Sequence, residues 1–181
     1  MSTSIFDILL GEIHINTRKS ILFSVLELSV FIYFLYVLFI SSGKTPVQAG
    51  EEMLMFAGSL ALVTVVHELS HFFTARILGY EASIDWMETS CNFFDQYLLR
   101  NHFLLIAIMP AVVITIIAAT AKILFPGFIF IVPAYLLKML GCRDDLILFI
   151  KALRFPKYAM FYQAKDRTGY FLVFEGKGKA A

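Results

Sequence analysis

Charge is scarce in this chain. Of 181 residues, 16% are Asp, Glu, Lys or Arg and 59% are hydrophobic, and the mean hydropathy is +0.77. A soluble domain is usually about a quarter charged and about half apolar. One small core cannot hold the excess, because a domain of this size must still present a large polar surface to water. An ordinary soluble globular protein and a disordered chain are both excluded on that ground. Basic excess is lacking too: the formal net charge is +1, so there is no positive field for phosphates and no nucleic-acid partner is expected. Cysteine is nearly absent. Cys91 and Cys142 stand far apart, provide no disulfide framework and say nothing of redox compartment. No internal repeat is visible. What the sequence does contain is long apolar runs, and these indicate a polytopic membrane protein.

A spanning helix needs roughly 20 mainly apolar residues to cross about 30 Å of hydrocarbon. Ile21 to Ile40 meets that length with Glu27 inside it. Met53 to Gly79 meets it while carrying His67, Glu68, His71 and Arg76, and Phe103 to Leu124 is nearly free of charge until Lys122. A fourth segment runs from Phe128 to Leu140 and reaches Leu153 if Asp144 and Asp145 are counted inside it. Pro110 and Pro133 are expected to kink their helices. No signal peptide is expected ahead of these spans, since Ile21–Ile40 is too long for a signal core. Lys and Arg near the span ends set orientation. Arg18 and Lys19, then Arg76 and Arg100, then Lys151, Arg154 and Lys157 fall on one side, against Lys44 and Lys122 on the other. Both termini and the Tyr80–Asn101 loop are therefore expected in the cytoplasm, and the short, bacterial-looking chain suggests a plasma membrane.

After Pro156 the character changes. Tyr158–Gln163 and Tyr170–Glu175 are aromatic and β-branched and flank Ala-Lys-Asp-Arg-Thr-Gly, which predicts a β-hairpin. The expected fold is an all-α polytopic membrane protein with about four transmembrane helices and this small C-terminal hairpin. The expected division is a transmembrane bundle over residues 1–155, a cytoplasmic hairpin over 156–176 and a disordered tail over 177–181.

One pentad carries most of the chemical information: His67-Glu68-Leu69-Ser70-His71. Helical residues four apart are turned by roughly 40° and separated by about 6 Å along the axis. Two imidazoles so placed can hold one zinc ion at Zn–N distances of about 2.0–2.1 Å. Glu68 is positioned to take a proton from water at the metal, whose pKa zinc lowers from 15.7 towards about 7. The alternative is that the two histidines bond to a neighbouring helix. Against it, a charged group at the centre of a spanning helix costs about 2.5–3.5 kcal/mol, and a bound cation offsets that cost. A catalytic zinc takes a third protein ligand, for which His102, Glu81, Glu88 and the Asp144-Asp145 pair are the candidates. The histidines lie roughly 12–18 Å from the cytoplasmic end of their helix, a depth the aspartates can match. Glu27 either pairs with a polar group such as Arg76 or lies in a wet part of the bundle. Cys142 reads as a small buried hydrophobe, worth mutating because it adjoins the aspartates.

His-Glu-Leu-Ser-His in an apolar helix, a later Met109-Pro110 span and Gly141-Cys142-Arg143-Asp144-Asp145-Leu146 resemble the membrane zincin peptidases related to the site-2 protease, an intramembrane zinc metalloprotease. The resemblance runs from about Leu54 to Phe174. It implies a zinc-dependent endopeptidase acting on membrane-associated proteins or peptides within the lipid bilayer. It implies His67, His71 and Asp145 as metal ligands, with Asp144 left as an alternative, and Glu68 as the catalytic base. The Asn-Pro-Asp-Gly form of many site-2 proteases is absent. Two other readings stand beside it: a non-catalytic membrane protein with a structural or regulatory metal, and a small ion or metal transporter built on Glu27, His67, Glu68 and His71. On the peptidase reading the Tyr158–Glu175 hairpin offers an edge for an extended substrate, or lies on the membrane surface through its aromatics.

Overall fold

The chain was described by a computed structural model, which covers residues 9–14, 25, 29, 31–33, 36, 45–87, 90–93, 95–128, 130–163 and 170–176. Its elements are strand β1 (Leu9–His14), helix α1 (Pro46–Ile77), short strands β2 (Ser83–Asp85), β3 (Ser90–Asn92) and β4 (Tyr97–Leu99), helices α2 (Arg100–Leu124), α3 (Ile131–Gly141) and α4 (Arg143–Ala152), and strands β5 (Ala159–Gln163) and β6 (Tyr170–Glu175).

Local chemistry sets both ends of α1. Thr45 accepts from the Gln48 amide through Oγ1 at 3.4 Å, and the Thr45 amide donates to Gln48 Oε1 at 3.1 Å. This is a reciprocal capping box with Pro46 in the first helical position. At the other end Gly79 has φ +85°. The Tyr80 amide reaches back to the Ala75 carbonyl and the Gly79 amide to the Arg76 carbonyl, a Schellman ending that needs glycine's freedom at positive φ.

The chain divides into two compact units, one of residues 1–15, 68–110 and 144–181, the other of residues 16–67 and 111–143. The first holds a four-stranded antiparallel sheet in the order β1-β6-β5-β4. Alternate residues of β5 are buried, giving one face to the core and one outward. On the core face Phe161 stacks on Phe103 of α2 with ring centroids 4.5 Å apart, and Phe171 meets Phe103 edge-on at 4.9 Å. Ala75, Leu148 and Ala152 complete that cluster. Arg100 donates to the carbonyls of Ala152 and Leu153 at 3.3 and 3.0 Å, closing the C-terminal end of α4 with a cation, as helix polarity favours. Beside the sheet, β2 and β3 form a separate two-stranded ribbon. Gln163, buried at the end of β5, accepts from the Phe93 amide at 2.7 Å and donates to Asn92 at 3.0 Å, fastening the ribbon to the sheet. In the second unit Phe56 of α1 packs on Phe130, with Ala134 of α3 beside them.

The expected all-α architecture with about four spans is corrected on two counts. Six strands in two sheets are present among the described residues. Among the described residues, two helices, over Gly50–Ile77 and Arg100–Leu124, are long and apolar enough to cross a membrane. The expected fourth span is instead α3 and α4, of 11 and 10 residues, separated at Cys142. The break follows Gly141, a poor helix former, and α4 opens with Asp144 and Asp145, which favour a helix start. Ile21–Ile40 lies largely outside the described residues, as does Glu27. The hairpin strands pair as expected, but β6 also pairs with β1 and β5 with β4. Both strands are therefore interior, and the hairpin has no open edge for a substrate strand.

Candidate metal centre

Helix α1 buries His67, Glu68, Ser70 and His71, each less than a tenth exposed, within a helix many of whose apolar residues, Leu54, Leu62 and Ile77 among them, are exposed. An apolar helix that turns its most polar face inward is burying that face for a reason other than hydrophobicity.

In the first unit, His71 is gripped at both ring nitrogens. Its Nδ1–H donates to the Ile106 carbonyl at 2.9 Å. A carbonyl oxygen can only accept, so Nδ1 carries a proton, and in the neutral ring the Nε2 lone pair points the other way. There Nε2 stands 3.4 Å from Asp145 Oδ2. In the neutral ring this sets a lone pair against a carboxylate oxygen, which a cation between them would relieve, either a proton that makes an imidazolium–carboxylate pair or a metal ion. The spacing itself fits a metal: a nitrogen and an oxygen each about 2.0–2.1 Å from one tetrahedral zinc are about 3.3 Å apart. The donor set passes that test. An outer hydrogen bond that fixes the tautomer of a ligating histidine is the usual arrangement at such centres.

Cys91, on β3, senses the same carboxylates. Burial first, then the charges of Glu68 and Asp145, push its thiol up to about 12. The thiol is therefore neutral at ordinary pH, and Glu68 and Asp145 together make the surroundings electronegative.

In the second unit, Cys142 is buried and its Sγ lies 3.3 Å from His67 Nδ1. Cys142 had the signature of a small hydrophobe in sequence, and its polar contact was not legible because His67 is 75 residues away. Its adjacency to the aspartates was the only hint.

The other candidates are placed elsewhere. His102 Nδ1 and the Tyr80 hydroxyl share a hydrogen bond at 2.8 Å, and that hydroxyl accepts from the Leu99 amide at 3.2 Å. Glu81 is exposed, its main chain held by the Gln96 side chain. Asp144 is partly buried in the first turn of α4, beside Asp145. Glu88 lies outside the described residues. Ile106 was not foreseen as a partner, since a backbone carbonyl leaves no mark in sequence.

A family model described as "Putative zincin peptidase" matches residues 60–160, more than half of the chain and a stretch that includes the pentad and Asp145. No curated protein and no solved structure matches.

Proposed function

Starting from a chain that belongs to this zincin peptidase family, for which zinc is the implied metal, we propose an intramembrane endopeptidase that cleaves membrane-associated proteins. His67, His71 and Asp145 hold the metal and Glu68 is the general base. The observation that carries the reading is His71 fixed by the Ile106 carbonyl on one nitrogen and facing Asp145 at 3.4 Å on the other.

Zinc at this place supplies Lewis acidity, which acidifies water and polarises a peptide carbonyl. The chain's own residues do the rest. The Ile106 carbonyl keeps His71 in the tautomer that ligates through Nε2. On this reading His67 donates Nδ1–H to the Cys142 sulfur 3.3 Å away and ligates through Nε2 in the same tautomer. Glu68, buried and acceptor-only when ionised, takes a proton from water as its oxygen bonds to the carbonyl carbon. The C–N bond then breaks, and Glu68 delivers that proton to the leaving nitrogen, giving a carboxylic acid and an amine. Burial excludes bulk water and strengthens each of these interactions.

The membrane setting is supported by the two long apolar helices. Within their most apolar stretches 22% and 28% of residues are buried, whereas a soluble core helix would be mostly covered. Leu54, Ile77 and Ile123 are each at least three-quarters exposed, which suits lipid and not water. His71 and His67 stand six and ten residues before the end of α1, roughly 9–15 Å from it, so water has a short path from that side. Arg76 and Arg100 at the adjoining helix ends favour the cytoplasm for the 78–99 connection. Strands β1, β5 and β6 join one sheet with β4 of that connection, which supports a cytoplasmic position for both terminal segments.

The test compares membranes from cells making the wild type or Glu68→Gln. New protein amino termini are expected in the first and not in the second, with equal zinc in the two purified proteins. The same termini in both, or none in either, would overturn the peptidase reading.

A further inference from the structure

The second unit contains a cavity for which the peptidase reading has no use. It lies between the first part of α1, the second part of α2 and α3, and measures about 270 Å³. Val63, Val66, Ile114, Ala118 and Ala134 form apolar walls. Two hydroxyls reach the lining, and both are engaged: Ser59 donates to the Met55 carbonyl at 2.8 Å, and Tyr135 pairs with Thr115 at 3.3 Å. A polar ligand would find little here to replace its water, whereas a hydrocarbon would lose nothing.

Leu62 and Phe125 both line the cavity and are 64% and 63% exposed, so it opens outward past two apolar side chains. An unfilled apolar space deprives every wall atom of partners on one side. An engineered cavity of about 150 Å³ already admits benzene, and this one is larger. We propose that it binds one hydrocarbon tail of a membrane lipid, entering past Leu62 and Phe125. The inference rests on the membrane reading above, because the tail arrives from the bilayer. The exposed apolar side chains of the same helices, Leu54, Ile116 and Ile123 among them, place the opening in hydrocarbon surroundings. Among the described residues the lining carries no charged group, so chain shape, not headgroup, is recognised.

The full chain is reconstituted into phosphatidylcholine vesicles doped with phosphatidylcholine carrying a diazirine at mid-chain, irradiated, and its adducts mapped by mass spectrometry. Ile114 and Ala134, each 2% exposed, should be labelled along with the outward-facing Ile116. Filling the space with Ala118→Phe, or with the milder Ala121→Leu if the first does not fold, should abolish labelling at Ile114 and Ala134 and leave it at Ile116. Labelled Ile116 with unlabelled Ile114 and Ala134 in the wild type would overturn the lipid site alone. So would buried adducts that persist in a folded, filled variant. If Ile116 is unlabelled too, the membrane reading fails and the lipid site with it.

Discussion

Alkylation of Cys91 reports on the carboxylates of the candidate site without requiring a substrate. Burial, Glu68 and Asp145 push its thiol from the ordinary 9.0 to about 12. At pH 8 a thiol at 9.0 is about one-tenth thiolate, and one at about 12 is about one part in ten thousand. The thiolate is the nucleophile. Iodoacetamide should therefore modify Cys91 in the folded, zinc-free protein about a thousandfold more slowly than in the unfolded chain, with the Cys91 peptide followed by mass so that Cys142 does not interfere. The sign in pH follows. The neutral thiol persists to higher pH in the folded state, so its rate should climb about tenfold per pH unit up to pH 11, where the unfolded chain has already levelled off. Glu68→Gln and Asp145→Asn each remove a charge that holds the proton on sulfur, so both should accelerate the reaction at pH 8. Added zinc should do so as well, because a nearby cation favours thiolate. A wild-type rate at pH 8 equal to the unfolded rate, or one indifferent to both substitutions, would refute the placement of Glu68 and Asp145 around β3.

Three further outcomes follow from the packing. Phe161→Ala removes a fully buried ring stacked on Phe103 and should cost about 3–5 kcal/mol, read as a lower melting temperature in detergent. Gly176→Ala would put a Cβ 2.3 Å from the Tyr158 carbonyl oxygen. It should lower thermal stability clearly, whereas Gly127→Ala, with open space around it, should not. Gln163→Ala removes the acceptor of the Phe93 amide and the donor to Asn92 Oδ1, a loss of about 1–3 kcal/mol, with faster hydrogen exchange expected in the β2–β3 ribbon.

The elements fixed by nearby residues were legible in the sequence. Apolar runs marked α2 and the end of α1 to within three residues, although α1 begins at Pro46, well before the run at Met53, and aromatic and β-branched residues marked β5 and β6. The strands that went unseen are those whose evidence is far away. Leu9–His14 becomes a strand by pairing with β6, its residue Glu12 opposite Leu172, and nothing in either segment names the other. Strands β2, β3 and β4 have three residues each, too few for a period to show. The continuous apolar reading of 128–153 hid the break at Cys142, because Gly141 beside an acidic pair fits a helix junction as well as a tilted span. At the site, the helical spacing of His67 and His71 is written in the pentad, and Asp145 entered through resemblance. The Ile106 carbonyl and the Cys142–His67 contact depend on tertiary packing alone.

The central claim is a zinc ion held by His67, His71 and Asp145. Metal analysis of the full-length protein, purified without chelator, tests it most directly when the wild type is set beside Asp145→Ala and Asp144→Ala. One zinc per chain is expected in the wild type and in Asp144→Ala, with less than a tenth of that in Asp145→Ala after equal dialysis. A zinc-free wild type, or an Asp145→Ala protein that keeps its full complement, would contradict the account.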